Sequence, residues 1–520
     1  MYRLLCFALL FFIPSALFSQ VFPKEGGKLS YRIIGFSFPG GKPGICTLKI
    51  ARGYYEHADS FNRNVSQSVV CKTNKAIAEV PSFGSAYTWC VVYPGKRMDA
   101  GALHHFSTLI SQKLDTAVSR LRIINKAEQY KDAYVFIDCM QALYDMDGSP
   151  VWFLPDSTYM TNKISNAIDL KLSVNNAITY IINDKIKEIS YNGAVNWTGH
   201  NTGEVGGDTT EHYHHEFTRL GNGHYMVMGN EDVAWEVPGY IPDTVVQTDI
   251  THDSDNIYRQ KLKFGTLIEY DREGRVVWAW KSSAYFKTSD IYKRKAANGR
   301  YHEPDVHENS FYFDEQKKVI YVSCRNTSQV LKVNYPEGIV LAAYGDTATA
   351  RDNAGNLLFS GQHSVKISKE GNLYLFNNNI LPAGIPTLIM MQEPADNNGA
   401  GLKKIWEYTC TLDGLTEREQ EHYHKKREAR QRREGNGHMR VAFTSGGNVM
   451  ELAGGAIFAS MNGPSSKIFI VTKDNNVVWS AIPEQKQAAD TAWGAAPTYR
   501  ASIIPGRSAL EELIRNSETK

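Results

Sequence analysis

The sequence predicts an all-β chain assembled mainly from one repeated hairpin unit. Three observations lead there. β-Branched runs alternate with polar residues and are separated by Gly, Asn and Asp throughout. Gly (41) and Tyr (28) are abundant among the 520 residues, as turn-rich sheets require. A signature, apolar-x-apolar-Asp/Asn-x-x-Gly-x-Val-x-Trp, recurs as LYDMDGSPVW (143–152), EISYNGAVNW (188–197), IEYDREGRVVW (268–278) and FIVTKDNNVVW (469–479). Each reads as two strands, a tight turn and a closing Trp. Weaker copies are LKVNYPEGIVL (331–341), without the Trp, and the segment ending in KKIW (403–406), with a long turn. Six copies, each spaced for about four strands, predict a β-propeller.

The remaining segments follow in chain order. The first twenty residues, MYRLLCFALLFFIPSALFSQ, place Arg3 before an apolar run and then small residues. Residues 1–19 are therefore expected to be a signal peptide cut near Ser19, giving an exported protein, periplasmic first and secreted further as the second option. The run from Leu4 to Phe18 is broken by Pro14 and is short for a bilayer span. Without Cys6, six cysteines remain: Cys46, Cys71, Cys90, Cys139, Cys324 and Cys410. An even number permits disulfides after export, and the first three, close in sequence, suggest one bridge among them. No CxxC supports a zinc site or redox pair. The net charge of +2 gives no reason to expect nucleic acid.

Residues 20–132 read as a small N-terminal β-sandwich-like domain, with strand-like runs CTLKIARGYY and SAYTWCVVY. The amphipathic stretch over 102–125 predicts a helix packed on that domain. The propeller is expected over 133–505, followed by a C-terminal tail, 506–520. An insertion, TEREQEHYHKKREARQRREGNGH (416–438), lacks an apolar stripe. It reads as a solvated helix or loop, with an anion-attracting rim as the sharper alternative.

Histidines mark the starts of the repeated units. His215 precedes Gly223 by the same eight residues that separate His363 from Gly371. A third motif, HEPDVHENS, carries His302, His307 and Asn309, and Arg325 lies on the outgoing strand of its hairpin. His214 competes with His215, and the eight-residue register favours His215. Equivalent positions in a propeller face the central channel at one end, so these side chains are expected to converge. Imidazoles, an amide and a guanidinium are mostly donors, and the Arg fork suits a tetrahedral oxyanion. Three histidines could instead hold a divalent metal, which makes a metal-dependent propeller hydrolase one alternative. A non-catalytic ligand-binding propeller is the other.

The order His307-x-Asn309, Ser323-x-Arg325, Gln362–His363 and then Leu375-Phe376-x-Asn378 resembles the bacterial arylsulfate sulfotransferases. SGGNVMELAGGAIFAS (445–460) and TYRA (498–501) resemble the closing blade of that family. The resemblance implies a six-bladed β-propeller with an N-terminal β-domain, and transfer of a sulfuryl group from a phenolic sulfate ester to a phenol. It implies no cofactor and no metal. Residue by residue, His363 matches the nucleophile, His307, Asn309 and Arg325 the sulfate-binding positions, and His215 the histidine of an earlier blade. Asn377 stands where the family usually has an acidic residue, and Val306 where a Trp is common. Attack by His363, with His307 or His215 moving the proton, predicts a ping-pong route through a sulfohistidine. The expected partners are a small-molecule aryl sulfate donor and a phenolic acceptor, with no nucleic acid and no membrane once the leader is removed. A second copy of the chain is the candidate oligomeric partner.

Overall fold

The computed structural model describes residues 21–518 apart from 40–44, 95–102, 156–166, 238–249, 253–256, 292–305, 346–356, 381–383, 396–400, 422–423, 426–427, 429–445, 463–465, 487 and 489–490. The expected signal peptide, His302 and most of the 416–438 insertion lie outside the described residues. Two compact units result, Met1–Ile110 and Ser111–Lys520.

The first unit has a five-stranded sheet ordered Gly27–Leu29, His104–Thr108, Ala86–Val92, Cys46–Arg52, Val65–Cys71, and a second sheet pairing Ile33–Ser37 with Lys75–Glu79. Phe36 from the small sheet packs edge-on against Trp89 and Phe106 of the large one, at 5.2 and 6.1 Å between centroids. The sandwich-like expectation describes this layering. Cys46 and Cys71 are directly opposite across their strand pair, both buried, and neither is bridged.

The helix expected over 102–125 is instead two strands, His104–Thr108 and Ser119–Asn125. The second of these belongs to the larger unit, where it pairs with Val477–Gln485. Arg120 and Arg122, two residues apart, both bond Glu484, at 2.7 and 2.5 Å. That is the period of a strand and not of a helix. The division thus falls at Ile110, before the expected boundary at 132.

Among the described residues the larger unit has six sheets with a four-stranded core, taken in chain order as blades 1 to 6. Their first strands are Ala501–Ile504, Ile168–Leu172, His214–Arg219, Glu308–Asp314, His363–Ile367 and Gly447–Glu451. Blade 1 is completed by the end of the chain: Ala501–Ile504 pairs with Tyr134–Ile137. The expected tail is a helix, Arg507–Glu518, with Leu510, Leu513 and Ile514 buried, and Ser517 Oγ accepts the Tyr191 N–H at 2.7 Å.

The repeated Trp and the repeated turn are two halves of one contact. Each Trp sits on the fourth strand of its blade's four-stranded core, and its indole N–H donates to a carbonyl in the turn of the next blade. Trp152 donates to Tyr191 (2.8 Å), Trp197 to Arg272 (3.1 Å), Trp278 to Pro336 (2.7 Å), Trp406 to Lys473 (2.9 Å) and Trp479 to Met146 (3.1 Å). The last closes blade 6 onto blade 1. The turns present that carbonyl because their last position is left-handed, at Gly148 (φ 89°), Gly193 (86°) and Gly274 (81°), with Asn475 (64°) in the last copy. Blade 4, whose repeat has Leu341 for Trp, sends no such bond to blade 5.

Trp479 is fully buried, whereas the Trp406 bond is exposed. Trp479→Phe should leave the Met146 carbonyl without a partner and cost about 1–3 kcal/mol, and Trp406→Phe should cost less. Thermal or urea midpoints of the two variants check this ranking; equal losses would sink it.

Candidate active site

The first strands of the blades are bonded to one another around the axis. Ser502 Oγ donates to Leu170 O (2.7 Å), Phe217 N to Asp169 Oδ2 (2.8 Å), and Lys366 Nζ to Glu216 Oε1 (2.6 Å). Val365 N donates to Ser310 Oγ (3.1 Å), Ser364 Oγ to Asn448 Oδ1 (2.8 Å), and Asn448 Nδ2 to Ala501 O (2.6 Å). Where these strands begin, the backbone is irregular. Asp169, His215, His307 and Ser364 are left-handed, with φ of 57, 59, 56 and 54°. Pairing register slips there in blades 2, 3, 4 and 5. Bulges of this kind re-aim side chains, and left-handed non-glycine residues cost roughly 1–3 kcal/mol each.

His363 opens blade 5 and is buried, with 1% of its surface exposed. Its Nδ1 lies 2.6 Å from Asn378 Oδ1, and its Nε2 has no hydrogen-bond partner among the described residues. Burial holds its pKa well below the usual histidine value, with Arg325 adding to the effect; the Asn378 bond opposes it, and His307 and Arg500 lower it further. His363 is therefore a neutral imidazole surrounded by cationic groups.

His215 is the histidine of the pair that enters the site. Its ring meets His307 at 5.2 Å and Tyr499 at 5.6 Å, both edge-on. His214 turns back instead: its Nε2 faces Gly229 O at 3.0 Å and its Nδ1 faces His215 Nδ1 at 2.5 Å. A carbonyl only accepts, so His214 carries its proton on Nε2 and receives the Nδ1 proton of His215. The lone pair of His215 is then on Nε2. Burial, followed by the charges of His214, His307, His363 and Arg500, lowers its pKa well below the ordinary value.

Arg325 follows the second strand of blade 4, and its N–H bonds His307 O at 3.0 Å. The expected return of Arg325 to the His307 end is thereby met. Asn309 is fully buried; its amide N–H donates to Gln362 O at 2.8 Å, bracing the strand of His363, while its Oδ1 has no partner among the described residues. The two departures from the family pattern have structural roles. Asn377 Oδ1 accepts from Ser360 and Asn379 N–H at 2.9 and 3.0 Å. Val306 is buried in the core between blades 3 and 4.

Tyr499, Arg500, Asp169 and Glu216 were not assigned from the sequence. Tyr499 and Arg500 immediately precede the closing strand, so ring closure brings them to the axis. Arg500 bonds Asp169 Oδ1 at 2.7 Å and Asn309 O at 3.1 Å, and reaches Glu216 Oε2 at 3.5 Å. Glu216 also takes Lys366, and Lys171 bonds Asp169 at 2.7 Å. Burial opposes the Glu216 charge, but Lys366, Arg500 and Lys171 outweigh it and keep the carboxylate ionised. Asp138 accepts the N–H groups of Asp169 and Leu170; burial, then the Asp169 charge, pushes it up to about 8. The Tyr499 hydroxyl is buried without a partner among the described residues, and burial raises its pKa, so it remains a donor. The only sequence trace of this tier was TYRA, whose position before the last strand gives it no periodic signature.

The site offers neutral imidazole lone pairs beside fixed cations, an arrangement suited to attack on an anionic ester. Among the described residues no three His, Cys, Asp or Glu side chains are grouped so as to hold a metal ion. The family model described as arylsulfotransferase (ASST) matches residues 107–385, just over half of the chain. The chain belongs to the arylsulfotransferase family. The match includes His215, His307, Asn309, Arg325, His363 and Asn378 and stops before Tyr499 and Arg500. No curated protein matches the chain. Among solved structures, a protein of unknown function from Bacteroides caccae is similar at 11% identity, over 74% of this chain and 99% of that one, with a TM-score of 0.38. The periplasmic gluconolactonase of Pseudomonas aeruginosa is similar at 9% identity, over 89% and 100%, with a TM-score of 0.27. A putative 6-phosphogluconolactonase from Bacteroides fragilis is similar at 10% identity, over 90% and 100%, with a TM-score of 0.26. At such scores these likenesses carry no argument about this enzyme, and its identity as an aryl sulfotransferase rests on the family match.

Arg500→Met removes the guanidinium from a buried charge set and leaves Asp169 and Glu216 with their lysine partners alone. The arylsulfotransferase should lose about 3–5 kcal/mol of stability, read as a fall in its urea midpoint. A loss under about 1 kcal/mol would mean that Arg500 is a solvated surface-type charge.

Proposed function

We propose that this arylsulfotransferase works by a ping-pong route in which Nε2 of His363 carries the sulfuryl group between a phenolic sulfate ester and a phenol. The observation that carries this reading is the Nε2 atom itself, buried and without a hydrogen-bond partner among the described residues, on a ring whose pKa is lowered by burial and then by Arg325. In the first half, the Nε2 lone pair attacks sulfur; the N–S bond forms as the S–O bond to the aryl group breaks, and the electron pair leaves with the phenolate. Arg325 and the second amide hydrogen of Asn309 hold the sulfuryl oxygens, where negative charge must be neutralised in the transition state. His307 supplies the proton that the phenolate takes.

In the second half an acceptor phenol attacks the same sulfur, gives its proton to His215 Nε2 and returns the N–S pair to His363. The proton then passes from His215 to His307, whose rings adjoin at 5.2 Å, and the cycle closes. Tyr499, still protonated, can donate to the phenolic oxygen in either half. Each half exchanges an S–O bond and an S–N bond in opposite directions, and the overall transfer replaces one aryl oxygen by another, so it is close to balanced and splits into two similar barriers.

We also infer that the chain is exported to the periplasm, as its first nineteen residues suggest, and that Cys46 and Cys71 form a disulfide there. Their opposed positions and mutual thiol contact support the pairing. Two thiols would give up two protons and two electrons to a disulfide oxidant.

With 4-nitrophenyl sulfate, nitrophenolate release should require an added phenol and persist in EDTA. It should vanish in His363→Ala, and in the intact enzyme its acidic limb should lie below the ordinary histidine value of about 6.5. A depressed pKa keeps His363 neutral until the pH falls well under that point. Full activity of His363→Ala would refute the nucleophile. For the cysteines, protein recovered from the periplasm should be lighter by two hydrogen atoms per bridge and should leave Cys46 and Cys71 unlabelled by iodoacetamide after unfolding. Labelling of both would refute the bridge.

A further inference from the structure

We infer that Asn378 is the positioning residue that decides which nitrogen of His363 reacts; the inference rests on the reading of His363 as the sulfuryl carrier. Asn378 is buried at 1% exposure and makes two bonds that fix its amide orientation. Its Nδ2 donates to Gly446 O at 2.8 Å, and its Oδ1 faces His363 Nδ1 at 2.6 Å. A backbone carbonyl accepts and never donates, so the amide nitrogen must point to Gly446 and the amide oxygen to the imidazole. An amide oxygen only accepts, so the proton of the neutral ring is on Nδ1 and the lone pair is on Nε2. Nε2 is the atom left without a partner among the described residues.

Gly446 is part of the device. A Cβ at that position would come within 2.4 Å of Asn462 Nδ2 and 3.0 Å of the Tyr499 ring. Glycine lets blade 6 bring its carbonyl up against the site.

An uncharged acceptor matters for both halves of the reaction. A carboxylate in place of Asn378 would draw the ring toward the imidazolium, which has no lone pair. The amide holds the proton in place without favouring the extra charge. Once the N–S bond has formed, the ring keeps its Nδ1 proton because the amide oxygen cannot take it. The group displaced in the second half is then neutral imidazole and not imidazolide, a far better leaving group.

A merely structural bond between blades 5 and 6 would alter stability alone, so the test reads tautomer and pH dependence. In enzyme labelled with 15N-histidine, His363 should show a protonated Nδ1 and a lone-pair-type Nε2. Asn378→Asp should move the acidic limb of kcat/KM to higher pH, and lower kcat at least about tenfold with KM changed far less. Asn378→Ala should give a mixed tautomer signal. A folded Asn378→Ala protein with the wild-type tautomer, or an Asn378→Asp enzyme with the wild-type pH profile, would overturn the inference. Should Asn378→Ala fail to fold, the Asp variant and the wild-type tautomer still decide. Activity of His363→Ala separates the two failures: if it survives, the nucleophile reading falls; if it is lost while the Asn378 variants behave as wild type, only the positioning role falls.

Discussion

Pairing of Ala501–Ile504 with Tyr134–Ile137 joins the last strand of the chain to the first blade of the larger unit, and the site depends on that joint. The closing strand brings Arg500 to the axis, where one guanidinium bonds Asp169 of blade 2 and the Asn309 backbone of blade 4 and reaches Glu216 of blade 3. On the outer rim, the Trp-to-turn bonds impose the same cyclic order from outside. Among the described residues only the boundary between blades 4 and 5 lacks the Trp-to-turn bond, and other side-chain bonds join those two blades. Gln362 Nε2 bonds Ser323 Oγ, Cys324 O and Gln329 O at 3.1, 3.2 and 2.8 Å, and Glu393 collects Tyr321, Tyr344 and Lys332. That interface presents His363, the proposed sulfuryl carrier.

Much of this was legible in the sequence because it is repeated. A Trp and a turn that meet across every blade boundary but one leave a periodic trace, and the eight-residue spacing from histidine to glycine marks the inward ends of blades 3 and 5. What was not legible is what happens once. The 102–125 stretch carries apolar residues that satisfy either period, and its two halves find partner strands in different units, a choice that local pattern does not encode. Arg500 lies in a segment with no copy elsewhere. Asn378 was visible as a motif residue, but its role depends on Gly446, which is distant in sequence and adjacent only after folding.

His214 and His215 show the same limit at finer grain. The eight-residue register picks His215, and His215 is the ring that faces His307 and Tyr499. The spacing gives no reason for that. The left-handed backbone at His215, φ 59°, lies at the bulge where pairing slips between His214 and Phe217, and it sends the two rings in different directions. One histidine orients the other by accepting its proton, and the pair behaves as a unit.

An anionic substrate and a neutral nucleophile make opposite demands. Imidazolium would attract a sulfate ester but could not attack it, whereas neutral imidazole attacks but attracts it weakly. The two tasks are divided between residue types here. Arg325 and Arg500 carry charge that does not titrate in the accessible range. Burial lowers the pKa of His363 and His215, with Arg325 and Arg500 adding to it at His363 and Arg500 at His215. Asp169 and Glu216 in turn offset the cost of burying Arg500, so the cationic environment is held by the fold and is present before any substrate arrives. In the proposed mechanism Arg325, which would hold the sulfuryl oxygens, thus also adds to the burial that keeps the lone pair on the nitrogen beside it.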